Sequence, residues 1–283
     1  MKLLLTPGER QRALSIKAAI ESAPFIQNRP DLEYAHLALC CSPNMSQEAL
    51  LETAHKLQCF REQYGIQETV EDGVRSLREL MMQQPGHILD ISYVPSEQTY
   101  HCVSDFAKLD PSKVQSEKDY RVYQSAFYYI MRATSTSPES MRKGLIISAS
   151  CEGMTLRSVN VQFQERCVAE LWNYYPALYK EITWYNTPTA ANMMYSMIRK
   201  FMTKEFRDNW KVGAIGDYEG RLDSLFAIPT LEDAQEQVLQ RVESYLQERY
   251  HNEQHFRLEQ IKNVQSQEQP FAPIVVSQFD DNY

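Results

Sequence analysis

The stretch from Gly144 to Gly216 limits the possible folds more than any other part of the chain. Leu145, Ile146 and Ile147 form a short apolar run with a glycine at either side, Gly144 and Gly153, which reads as a strand. Next, residues 158–175 place Phe163, Cys167, Leu171 and Tyr175 four apart, with Val168 and Trp172 beside them, as a buried helix face requires. A second strand, Ile182-Thr-Trp-Tyr185, runs into Asn186-Thr-Pro188. The helix that follows is apolar at 190, 191, 193, 194, 195, 197, 198, 201 and 202, and only Asn192, Ser196 and Arg199 make a thin polar stripe. A surface helix carries an apolar stripe of about 100°. This one needs apolar surroundings on most of its circumference, either within a core or between a sheet and an apolar cavity. Strands and helices in alternation imply an α/β fold, a mixed and mainly parallel sheet with helices packed on it.

The first 85 residues read differently. Helical patterns span 8–23, 31–40, 47–65 and 68–84, punctuated by Pro24, Pro30, Pro43 and Pro85. Ser46 is a good N-cap, although Glu48 stands one residue too early for a capping box. From Gly86 the period changes to that of strands, at 88–94 and 99–104, and a helix at 115–134 carries Tyr120, Tyr123, Phe127, Tyr128, Ile130 and Met131. Ser135-Thr-Ser-Pro138 reads as a break. After Gly216 the chain turns polar: seven acidic and three basic residues lie in 232–260, around a stripe of Val238, Leu239, Val242, Tyr245 and Leu246. The expected division is an all-helical module at 1–85, an α/β domain at 86–230, an acidic amphipathic helix at 231–262 and a disordered tail at 263–283, within which Ile274-Val-Val276 can dock locally.

Composition excludes several classes. No run reaches the ~18 apolar residues of a membrane span, and the N-terminal leucines are too few for a secretory signal, so a cytoplasmic location is expected. The six cysteines include no C-x-x-C pair, which writes no zinc site and no disulfide scaffold. A net charge of −8 argues against nucleic acid as the partner. No nucleophile elbow or zinc-protease helix is present, so no catalytic residues are assigned and neither a metal nor a cofactor is expected. His251 and His255 stand four apart without a third ligand and read as surface histidines, while His55, His87 and His101 are isolated.

The order of these motifs resembles that of the CRAL-TRIO lipid-binding family, which includes phosphatidylinositol-transfer, tocopherol-transfer and retinaldehyde-binding proteins. The family's strand ending in glycine is similar to Leu145–Gly153. Its helix ending in Tyr-Pro is similar to Tyr175-Pro176, its Asn-x-Pro to Asn186-Thr-Pro188, and its Lys-Pro-Phe-Leu-like box to Arg199-Lys-Phe-Met202. Upstream, Cys59-Phe-Arg-Glu-Gln-Tyr-Gly65 resembles the end of the family's N-terminal helical module. The match has departures. Ser150 stands where the family has an aspartate, and Ala177-Leu178 where phosphatidylinositol transporters carry Glu-Arg. The basic residue of the last core strand falls at Asn209 or Lys211, and Ile228-Pro229 occupies the place of a Gly-Gly stretch.

The resemblance implies a soluble, non-enzymatic carrier of a hydrophobic small molecule or lipid, with the 188–202 helix as a gate over an apolar pocket. Met193, Met194 and Met197 would give the gate an adaptable lining, and Tyr128, Ile147, Ser148, Ile182 and Trp184 would line the floor and back wall. Tyr128, Ser148 and Tyr185 are the candidate polar anchors. Beyond the gate, Arg199, Lys200, Lys204, Arg207 and Lys211 stand against Glu205 and Asp208. With Phe201 and Phe206, this cluster would contact an anionic membrane surface transiently. The other reading is a protein-interaction module that keeps the fold without the cargo, binding its partner through 232–260.

Overall fold

In the computed structural model the described residues are 5–160, 162, 163, 166, 175–201, 207, 210–214 and 231–258. Four helices come first: α1 (Pro7–Glu21), α2 (Asp31–Cys40), α3 (Gln47–Tyr64) and α4 (Val70–Gln83). Their starts follow the capping chemistry of the sequence. Thr6 and Glu9 close a capping box on α1, while Ser46 and Thr69 each accept one amide at the starts of α3 and α4. At the end of α3, Gly65 takes the left-handed conformation and the Gly65 N–H bonds to the carbonyls of Arg61 and Glu62.

Strands β1 (Ile88–Val94) and β2 (Thr99–Asp105) pair antiparallel. Helix α5 (Glu117–Ala133) then leads through α6 (Pro138–Lys143) to β3 (Leu145–Ser150). The α6 turn lies where the sequence reads as a break. Ser137 caps it and Pro138 occupies its first turn, so the breaker of one helix starts the next. Strand β4 (Tyr179–Tyr185), helix α7 (Thr189–Ile198) and strand β5 (Trp210–Ala214) follow. The expected 158–175 helix lies mostly outside the described residues; Gln162, Phe163 and Arg166 are helical. Helix α8 (Leu231–His255) completes the described chain, and the tail at 263–283 lies outside it.

The sheet order is β1-β2-β3-β4-β5, with the last four strands parallel. Register decides which side chains share a face. Tyr100, Cys102, Leu145, Ile147, Ala149, Ile182, Trp184 and Trp210 lie on one side. There they meet Leu77 and Leu80 of α4, Ile130 of α5, Met194 of α7 and Val238 and Val242 of α8 in the larger core. Thr99, His101, Val103, Ile146, Ser148 and Thr183 share the reverse side. All six are buried, and Val103 and Ile146 belong to neither apolar core. Gly144 makes the β3 entry possible at φ 75°, ψ 173°, a region essentially closed to other residues. A Cβ there would sit 2.9 Å from the Leu178 carbonyl oxygen.

A second, smaller core lies among α1, α2 and the first half of α3, and Phe256 and Leu258 beyond α8 reach back into it. Between the two cores runs a buried ionic network. Glu33 of α2 accepts two 2.8 Å hydrogen bonds from Arg29 and one at 2.9 Å from Arg132 of α5. Arg132 also grips both oxygens of Glu253 in α8, at 2.7 and 2.9 Å, and Arg249 bonds the same carboxylate at 2.8 Å. Tyr128 donates to Glu68 at 2.6 Å. Burial pushes the Glu33 carboxyl up, but Arg132, Arg29 and Arg61 outweigh it and hold the group well below the usual carboxylate range. Glu68 is lowered in the same way. A cavity of about 20 Å³, lined by Arg29, Glu33, His36, Arg61, Arg132 and Tyr175, is large enough for one water molecule.

Candidate functional site

Helix α7 inherits its position from the turn before it. Asn186 adopts φ 49°, and Pro188 stands at the N-cap, so the chain reverses sharply off β4 and lays the helix back over the sheet. Spacing then sorts its faces. Ala191, Met194 and Ile198, at intervals of three and four, are buried in the larger core. Asn192, Ser196 and Arg199 are exposed, so the thin polar stripe of the sequence is the solvent side.

Under α7 lies an aromatic cluster. Trp184 of β4 meets Trp210 of β5 edge-to-face at 5.0 Å and Phe106, just after β2, at the same distance. Tyr195 descends from α7 onto both tryptophans, 6.1 Å from Trp184 and 5.7 Å from Trp210. Such contacts favour offset and edge-on geometry, worth about 0.5–1.5 kcal/mol per pair beyond burial. With Ile182, Met194 and Ile198 this makes a region of large apolar surfaces between a single short helix and the sheet.

The candidate lining residues do not all meet here. Ile147, Ile182, Trp184 and Met194 share the core beneath α7, with Ile147 half-buried. Met193 is 48% exposed and Met197 half-buried. Ser148 points to the reverse face of the sheet, where it hydrogen-bonds His101 at 2.8 Å. Tyr185 shares that face by register. Tyr128 is fully buried against Phe60, Tyr129 and Tyr175, and its hydroxyl is committed to Glu68. Phe106, Tyr195 and Trp210 complete the cluster and were not among the sequence candidates. For Trp210 the signal was available, as an aromatic opening the last parallel strand.

Of the expected membrane-contact residues, Arg199 and Lys200 are exposed just past α7. Phe201 follows in the same helical turn, and Arg207 is half-buried, its guanidinium 3.4 Å from the Arg199 carbonyl oxygen. Lys204 and Phe206 lie outside the described residues. No described helix is long and apolar enough to cross a membrane.

The arrangement defines a class of protein: a helical module followed by a mixed, mostly parallel five-stranded sheet, with a short apolar helix laid across aromatic residues. Residues 95–214 match the model of the CRAL/TRIO domain family, and the chain carries a CRAL/TRIO domain over that span. The match runs from the start of the β1–β2 turn through β5 and so contains α7 and the whole aromatic cluster. Domains of this family are generally lipid-binding and lipid-transfer domains without catalytic activity, and their ligands are hydrophobic and lipid-like. No curated protein matches the chain.

Proposed function

We propose that this protein binds a hydrophobic small molecule or lipid beneath α7 and exchanges it at membrane surfaces from the cytoplasm. The observation that carries the reading is α7 itself. Its Tyr195 packs on Trp184 and Trp210, with Phe106 edge-on to Trp184, within the matched CRAL/TRIO domain. Lifting one ten-residue helix would expose these rings to an acyl chain, and each buried methylene contributes about 0.8 kcal/mol. The hydroxyls of Tyr128 and Ser148 already have partners in Glu68 and His101, so apolar contact carries the affinity. Exposed Arg199 and Lys200 supply the attraction to an anionic surface at the end of the same helix, about 1 kcal/mol per residue near it.

Native mass spectrometry with solvent extraction of the purified protein tests the proposal. A co-purifying or readily taken-up lipid is expected. Its loss in Met194→Trp, with the circular dichroism and thermal melt unchanged, would place it under α7; Trp184→Leu is the companion variant. A ligand-free protein that takes up nothing from a lipid mixture would sink the carrier reading and leave the alternative, a protein-interaction module.

A further inference from the structure

Helix α3 brings together two residues outside the lipid-binding region. His55 and Cys59 are four apart, which sets them one above the other on the helix surface; Cys59 is exposed and His55 half-buried. The Cys59 Sγ and His55 Nε2 atoms are 3.6 Å apart. Phe25 meets the imidazole edge-on, with centroids 5.5 Å apart and planes at 89°, and this contact limits how the ring can turn.

The separation matches the bite of a tetrahedral metal ion. A zinc–sulfur bond of ~2.3 Å and a zinc–nitrogen bond of ~2.0 Å, meeting near the tetrahedral angle, hold the two donors about 3.5 Å apart. An ion can therefore be gripped with the side chains where they stand. In the ion's absence the hydrogen-bond contact between the thiol and Nε2 keeps the pair aligned. The other described cysteines, Cys40, Cys41, Cys102 and Cys151, are buried, so Cys59 is the exposed thiol among the described residues. Burial pushes the thiols of Cys41, Cys102 and Cys151 up to about 12, which removes them as thiolate ligands near neutral pH.

We propose that His55 and Cys59 form a two-ligand chelate for a thiophilic divalent cation of the zinc class, with water filling the remaining positions. No group of three or more His, Cys, Asp or Glu side chains is set to hold a metal among the described residues, so this is an open, exchangeable site rather than a closed structural one. Binding breaks the Cys59 S–H bond, forms the metal–sulfur bond and releases one proton to solvent, so the affinity rises with pH. Imidazole with thiolate selects zinc-class ions over magnesium and calcium.

Cadmium is the probe, because a thiolate–cadmium pair has an ultraviolet charge-transfer band. The full-length, metal-free protein is titrated with it, and zinc is then added as competitor. The expected result is one equivalent bound with the band present, zinc suppressing it and magnesium not. Cys59→Ser should abolish the band, and His55→Gln should weaken binding by about tenfold or more, the loss of one of two protein ligands. Neither position is buried in a core, and circular dichroism checks that each variant folds. A band that survives Cys59→Ser, or an affinity unchanged in His55→Gln, overturns the proposal.

Discussion

Replacing Arg132 by Met tests how the two cores are joined. Arg132 is 2% exposed, and its guanidinium bonds Glu33 of α2 and both oxygens of Glu253 in α8. Met keeps most of the side-chain volume, so the change is one of charge and hydrogen bonding more than of packing. Removing one partner of a buried ion pair costs about 3–5 kcal/mol, because the other is left buried and undercompensated. The lower end applies. Glu253 keeps Arg249, and Glu33 keeps Arg29 and Arg61. Equilibrium urea unfolding should show a loss of about 3 kcal/mol. Adding Glu253→Gln should make the double variant more stable than the sum of the single losses, since the stranded carboxylate is gone, with a coupling of roughly 0.5–3 kcal/mol. The acid limb should change as well. Glu33 and Glu68 have folded-state pKa values below their unfolded ones, so their stabilisation is present above the ordinary carboxylate range and disappears as pH falls through the folded values. Without Arg132 that loss should begin at higher pH. A destabilisation under about 1 kcal/mol, or no coupling with Glu253, would refute the view that this network carries stability rather than merely filling the interface.

Three further outcomes are expected. Burial pushes the His87 imidazole from its ordinary 6.5 down to about 4, against a 3.1 Å bond to the Asp105 carbonyl oxygen. Between those values the unfolded chain holds a proton that the native chain lacks, so stability falls as pH drops through that window. His87→Asn should flatten the slope in chemical denaturation by up to about 1.4 kcal/mol per pH unit. Gly73→Ala should destabilise by about 1 kcal/mol despite better helix propensity. The new Cβ would stand 2.9 Å from Tyr129 Cδ1, in a ring pinned by its hydroxyl to Asp72, and a thermal melt decides the sign. Lys200→Glu with Lys204→Glu should weaken sedimentation with anionic liposomes while leaving neutral ones unaffected; equal binding to both would remove the basic cluster from the membrane contact.

Much of the candidate site was legible because local rules write it. The i, i+3, i+4 spacing of Ala191, Met194 and Ile198 against Asn192 and Ser196 is a property of the sequence, and that face is turned inward. Strand alternation likewise puts Ile182 and Trp184 on one face. The side of the sheet that Ser148 takes is not legible, because a strand's two faces look alike until a sheet has an inside. Its neighbour Ile147 faces the larger core and Ser148 faces the other way, a difference of one residue in register. Tyr128 belongs to an aromatic helix face, but which aromatics line the sheet and which line the ionic network depends on how α5 is rotated. His55 reads as isolated in the sequence, because its 3.6 Å approach to Cys59 rests on rotamers that a sequence does not fix.

By itself, then, the sequence determined the helical first module, the strand–helix alternation and the nearly all-apolar helix after Asn186-Thr-Pro188. Each depends on periodicity, caps and turns within a few residues of chain. The tertiary structure alone decided that Glu33, Glu68, Arg132 and Glu253 would meet, and that Phe106, Trp184 and Trp210 would gather beneath Tyr195 of one helix. Those groups come from segments separated by tens to hundreds of residues. Long-range pairing of charges and rings is set by how whole faces are buried against one another, and burial is a property of the assembled chain.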